Sequence, residues 1–129
     1  MNLINVANKL AAENCGVLGT SLFVTEMPDT CHEGILLMDA YYGTPVDHYI
    51  PGYYKTEFRI VVRSVDYSTG AALSKRAYAA LGGHAGFMSG PLTAAQCLPL
   101  FLPRSYRRSV GGYWEFEVDM IIAFMEDDA

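Results

Sequence analysis

The hydrophobic positions of this chain change period along its length, and each change marks an element. Near the start, Leu3, Val6, Ala7, Leu10 and Ala11 repeat with the i, i+3, i+4, i+7 spacing of one helix face, while Lys9 and Glu13 fall off it. Asn2 suits the N-cap and Gly16 the C′ position, so a short amphipathic helix is expected over residues 2–14. Ser68 can cap a second helix that runs to about Leu81, with Leu73, Ala77, Ala80 and Leu81 as its apolar stripe and Gly82-Gly83 as its stop.

Strand signals occupy the rest. Ser21-Leu22-Phe23-Val24-Thr25 is a short β-prone run, and residues 34–40 are apolar on both parities, as in an interior strand covered on both sides. In residues 57–65, Phe58, Ile60 and Val62 share one face while Arg59, Val61 and Arg63 share the other. The last run is the most regular: Trp114, Phe116, Val118, Met120, Ile122 and Phe124 alternate with Glu115, Glu117, Asp119, Ile121 and Ala123. Residues 83–93 read as a Gly-rich linker, and Pro99 and Pro103 confine the extended stretch 94–102 to a sheet edge. The order helix, strands, helix, strands predicts one α+β domain over residues 1–129. Its antiparallel sheet would have about four to five strands, with two α-helices packed on one face.

That sheet leaves a second face carrying Arg59, Arg63, Glu115, Glu117 and Asp119. Opposite charges on neighbouring strands fit a solvated face laced by ion pairs. The sharper alternative is a face that meets another subunit or lines a channel.

Composition narrows the classes. The chain has 129 residues, 51% of them hydrophobic, with a net charge of −5 and a pI near 5.0. It is apolar enough to own a core, and too acidic to grip nucleic acid through phosphates. Neither a membrane-spanning apolar run nor a basic-then-apolar leader is visible, and Cys15, Cys31 and Cys97 are odd in number and widely spaced. A soluble protein of a reducing compartment is the expectation.

Catalytic and metal patterns fail one by one. Cys31-His32-Glu33 has no second ligand pair to join, and Cys15, His48, His84 and Cys97 stand singly, so no metal or other cofactor is expected. Gly86-Phe87-Met88-Ser89-Gly90 is misspaced for a nucleophile elbow, and Gly82-Gly83-His84-Ala85-Gly86 lacks the strand and Lys of a phosphate loop. No acid, base and nucleophile come together, so an enzyme is not expected.

Two features exceed what a core needs. Residues 41–56 form an irregular arm holding Tyr41, Tyr42, Tyr49, Tyr53 and Tyr54; such rings either fold back on the body or supply an interface. Arg104-Ser105-Tyr106-Arg107-Arg108 is the only basic cluster, either a solvated loop or a docking patch for an acidic neighbour.

The segment Phe58-Arg59-Ile60-Val61-Val62-Arg63-Ser64-Val65-Asp66-Tyr67, with the Ala-rich helix to Leu81-Gly82, resembles small tail-terminator and tail-completion proteins of long-tailed bacteriophages, which include minor capsid and minor tail proteins. The N-terminal helix, the strand Gly34-Ile35-Leu36-Leu37-Met38, the arm ending in Pro51-Gly52-Tyr53-Tyr54-Lys55 and the aromatic C-terminal strand extend the likeness over residues 2–124. The Tyr-rich arm and the Gly-rich 82–90 segment depart from it.

The resemblance implies a virion protein, assembled in the bacterial cytoplasm. It would form a homo-oligomeric, six-membered ring at the head-proximal end of the tail. That ring would stop polymerisation of the tail tube protein and join the head–tail connector, with DNA passing through its lumen unbound and no membrane involved. On this view Tyr41, Tyr42, Tyr49, Tyr53, Tyr54, Arg59 and Arg63 are candidates for subunit or tube contacts, and Arg104, Arg107 and Arg108 for connector docking. Glu115, Glu117 and Asp119, with the acidic tail Glu126-Asp127-Asp128, are candidates for a negative lumen wall. The competing readings are a small cytosolic α+β oligomer that binds a ligand between helices and sheet, and, last, a small hydrolase or isomerase.

Overall fold

Asn2 does cap the first helix: its Oδ1 accepts the Ile4 N–H at 3.0 Å. In the computed structural model, which describes residues 1–40, 43–107 and 112–126, this helix is α1 (Leu3–Ala12). It buries Leu3, Val6, Ala7 and Leu10 of the expected stripe, with Ala11 partly buried. After it come β1 (Leu22–Val24), β2 (Gly34–Asp39) and β3 (Tyr53–Ser64), then α2 (Tyr67–Ala80). A run of four strands completes the chain: β4 (Phe87–Ser89), β5 (Leu92–Pro99), β6 (Arg104–Arg107) and β7 (Trp114–Glu126). Tyr41, Tyr42, Arg108, Asp127 and Asp128, all singled out in the sequence, lie outside the described residues.

The sheet corrects the expected architecture. Among the described residues it has seven strands in the order β1-β2-β3-β7-β5-β4, with β6 also paired to β7, and two short helices accompany it. It is also mixed and curled rather than purely antiparallel, because β1 runs parallel to β2 while every other pairing is antiparallel. The fold is mostly β, and the expectation of four to five antiparallel strands with two helices on one face does not hold. The reason is length. Three- and four-residue strands such as β4 and β6 are too short to display a period of two.

The same shortness accounts for two local corrections. The expected linker 83–93 holds β4, and a hairpin turn at Gly90 (φ +57°) leads into β5. The basic cluster is not a loop: residues 104–107 are β6, paired with 114–117 of β7. β4 covers β5 only opposite Leu92–Ala94, so the expected edge position fails at that start alone. Pro99 is tolerated because it falls past the reach of β4.

The centre is the β3–β7 ladder, in register from Tyr53↔Met125 to Ser64↔Trp114. Phe58, Ile60, Val62, Phe116, Val118, Met120, Ile122 and Phe124 point inward and none is more than 2% exposed. Each such side chain contributes about 1.5–3 kcal/mol by burial. α2 lies over β3 and β7, and α1 over β1, β2 and β4.

α2 starts two residues earlier than expected, capped by Asp66 rather than Ser68: Asp66 Oδ2 accepts from Thr69 N–H at 3.0 Å and from Thr69 Oγ1 at 2.7 Å. Its buried stripe is Gly70, Ser74 and Ala77, leading to Leu81, whereas Leu73 is only partly buried. Small residues, not large apolar ones, face the sheet because the helix backbone rests on Phe116. A Cβ at Gly70 would overlap that ring. β2 departs from expectation too: it is interior by pairing, yet Met38 on its second face is 39% exposed.

Candidate functional site

The face of the sheet turned away from the main core carries a ladder of charge, and strand register builds it. Arg63 stands opposite Glu115, Arg59 opposite Asp119 and Val61 opposite Glu117, so every second residue of β3 meets β7 on this face. β6 adds Arg104 opposite Glu117 and Tyr106 opposite Glu115 from the other side of β7.

The ladder is graded from dry to wet. At one end Arg63 (8% exposed) donates from Nε to Glu115 (4% exposed) at 2.9 Å. Its Nη1 donates to the carbonyl oxygens of Pro28 at 3.2 Å and Cys31 at 3.5 Å, and its guanidinium lies 4.8 Å from the centre of the Tyr113 ring. Those carbonyls belong to residues 25–33, the connection that returns the chain from β1 to β2 in parallel. Parallel neighbours need such a crossover, and its backbone acceptors must find donors. Arg63 supplies them. An arginine expected at a subunit contact is thus largely enclosed within its own chain, where it clamps a loop to the sheet.

At the other end Arg59 Nε donates to Asp119 Oδ1 at 2.9 Å, with Glu117 at 3.8 Å, and Arg104 reaches Glu117 at 3.1 Å and Asp119 at 3.7 Å. The Tyr106 hydroxyl donates to Glu117 Oε1 at 2.8 Å. The hydrogen bond from Arg59 to Asp119 raises the Arg59 pKa further above its usual value. Burial and then the hydrogen bond to Glu117 push the Tyr106 phenol up, so it stays a donor. Glu115, Glu117 and Asp119, expected in a negative wall, are therefore each matched by an arginine: Glu115 by Arg63, Asp119 by Arg59 and Arg104, and Glu117 by Arg59 and Arg104, while Glu126 lies 3.5 Å from the N-terminal amine.

The aromatic arm divides. Tyr54 stacks on Phe124 with ring centres 5.3 Å apart and so belongs to the core. Tyr53 is half-buried, while Tyr49 is 95% exposed and stands with exposed Val46 and Ile50 on residues 43–52. Of the basic cluster, Arg107 lies 6.0 Å from the Trp114 ring and Arg104 joins the ladder. Sequence reasoning passed over Leu100, Phe101 and Leu102, the exposed apolar turn between β5 and β6. The signal was present: two prolines bracket an apolar run that no sheet interior can hold.

Cys97 is fully buried and desolvation pushes its thiol to about 12; burial likewise raises Cys15, so both behave as small core residues. Among the described residues no three His, Cys, Asp or Glu side chains converge as a metal site, and no helix is long and apolar enough to cross a membrane.

The chain superposes on a chain from the virion of a native gene transfer agent (GTA) particle with a TM-score of 0.61 and 14% identity, covering 95% of this chain and 92% of that one. At that identity the likeness is one of fold. No curated protein sequence matches significantly. A family model described as bacteriophage tail terminator protein matches residues 9–125. With nearly the whole chain inside that model, the protein belongs to the bacteriophage tail terminator protein family and is a structural protein of the phage tail.

Proposed function

We propose that copies of this chain form a closed ring, of six subunits, at the head-proximal end of the tail tube, where the ring ends tube polymerisation and presents a surface to the head–tail connector. The observation that carries the reading is the family match over residues 9–125. Two physical features support it. Head-to-tail association joins two different patches of one chain and closes when the subunit rotation permits. This chain exposes unlike patches: the arm with Tyr49 and Ile50, the open end of the ladder at Arg59, and the basic strand with Arg104 and Arg107. The net charge of −5 also suits a lumen through which duplex DNA slides, because retention on DNA requires cationic neutralisation of its phosphates.

Tail tube protein polymerised with increasing amounts of this chain tests the proposal. Mean tube length is expected to fall as the chain is added, and the shortened tubes are expected to stop growing when more tube protein is supplied. Tubes that keep the same length distribution at every ratio contradict it.

A further inference from the structure

The open end of the charge ladder lies in one row across the sheet, and both ends of that row are exposed and apolar. Met38 of β2 is opposite Arg59 of β3, which is opposite Asp119 of β7, and the Leu100 N–H donates to the Asp119 carbonyl oxygen at 2.8 Å. At the β2 end is an open cleft of about 340 Å³, roomy enough for an aromatic side chain. Met38 and Ala40 line it, the Arg59–Asp119 pair forms one wall, and Asp39 and Glu57 add acidic groups. At the other end, the turn from β5 to β6 carries Phe101 at 67% and Leu102 at 77% exposed, a knob followed directly by the basic strand with Arg104 and Arg107. Three strand steps separate Met38 from the Leu100 turn, roughly 14 Å at the usual strand spacing.

We infer that the Leu100–Leu102 knob of one copy seats in the Met38 cleft of the next. The occupant is a second copy of this chain because the two surfaces are complementary in kind. An apolar knob with a cationic flank meets an apolar cleft with an acidic rim, and neither has another cover among the described residues. A contact between two different patches is heterologous, so it propagates from copy to copy and closes only as a ring. A self-complementary two-fold contact would instead place cleft on cleft or knob on knob. The inference rests on the ring reading above and names the surfaces that would make it.

The test is cross-linking in a Cys31→Ser background, which leaves only the buried Cys15 and Cys97 as native thiols. The double variant Met38→Cys/Phe101→Cys, treated with copper phenanthroline, is expected to give a ladder of disulfide-linked oligomers ending at one closed size. A mixture of the two single variants is expected to give linked dimers and nothing larger. Neither single variant alone is expected to link. Rings seen by negative stain without a Met38–Phe101 cross-link would overturn this contact and leave the ring standing. A single variant that links to itself would overturn it in favour of a two-fold contact. Absence of rings and cross-links alike, with tail tubes present, would overturn the contact together with the ring. Phe101→Asp provides a second readout: loss of rings at concentrations where the parent forms them, with an unchanged melting temperature. Rings that persist at parental concentrations contradict the inference.

Discussion

Two arginine–carboxylate pairs lie four residues apart on the same two strands, and burial sets them apart. Arg63–Glu115 and Arg59–Asp119 share a 2.9 Å Nε–carboxylate contact. The first pair is 9% and 6% exposed in its side chains, the second 42% and 24%. A buried charge must keep its partner, so the first pair serves the fold: it holds the β1–β2 crossover on the sheet. An exposed pair is worth little to the fold, which leaves the second free to form part of a contact surface. One strand ladder thus runs from structural glue to candidate interface.

The largest way to break this contrast is Arg63→Glu, which places two carboxylates face to face and strips the crossover of its donors. Losing one partner of a buried pair costs about 3–5 kcal/mol, so the variant should unfold at much lower denaturant or fail to accumulate folded. A melting temperature within two or three degrees of the parent would show that Arg63 is no clamp.

Gly70→Ala comes next. On an exposed helix this change stabilises, by roughly 1 kcal/mol. Here the added methyl presses on Phe116, between Glu115 and Glu117 on β7, and the expected outcome in urea unfolding is a loss of about 1–3 kcal/mol. A gain would mean that the helix stands off the sheet.

Arg59→Ala should cost only about 0.2–1 kcal/mol, a difference that shrinks in high salt, whereas the Arg63 defect should persist there. Equal salt sensitivity of the two variants would erase the distinction between the ends of the ladder.

The smallest effect concerns a carboxylate outside the ladder. Hydrogen bonds from Thr69 hold the Asp66 carboxyl below its usual 3.8. A group whose folded value is depressed stabilises fully above its unfolded value, and that contribution is lost as pH falls through the folded one. The melting temperature of Asp66→Asn should therefore lie slightly below the parent at neutral pH and converge on it in acid. A gap that widens in acid contradicts the sign.

What the sequence disclosed follows from how much chain each signal occupies. The β7 alternation and the β3 pattern are long, so their inward rows and the cross-strand charges could be read directly. β1, β4 and β6 span three or four residues each, and a Gly- or Arg-rich composition hid the last two. The face of α2 was misjudged because apolarity favoured Leu73, whereas close packing on Phe116 selected Gly70 and Ser74. Burial of Arg63 could not be foreseen, because nothing local to β3 shows that residues 25–33 fold across it. The apolar row ends at Met38 and Phe101 exist only once β2, β3, β7 and the β5–β6 turn are side by side.

Imaging tail tubes assembled with this chain by cryo-electron microscopy tests the central claim most directly. The account predicts one ring of extra density on a single end of each tube, with the opposite end bare and still able to extend. Density distributed along the tube wall, or at neither end, would contradict it.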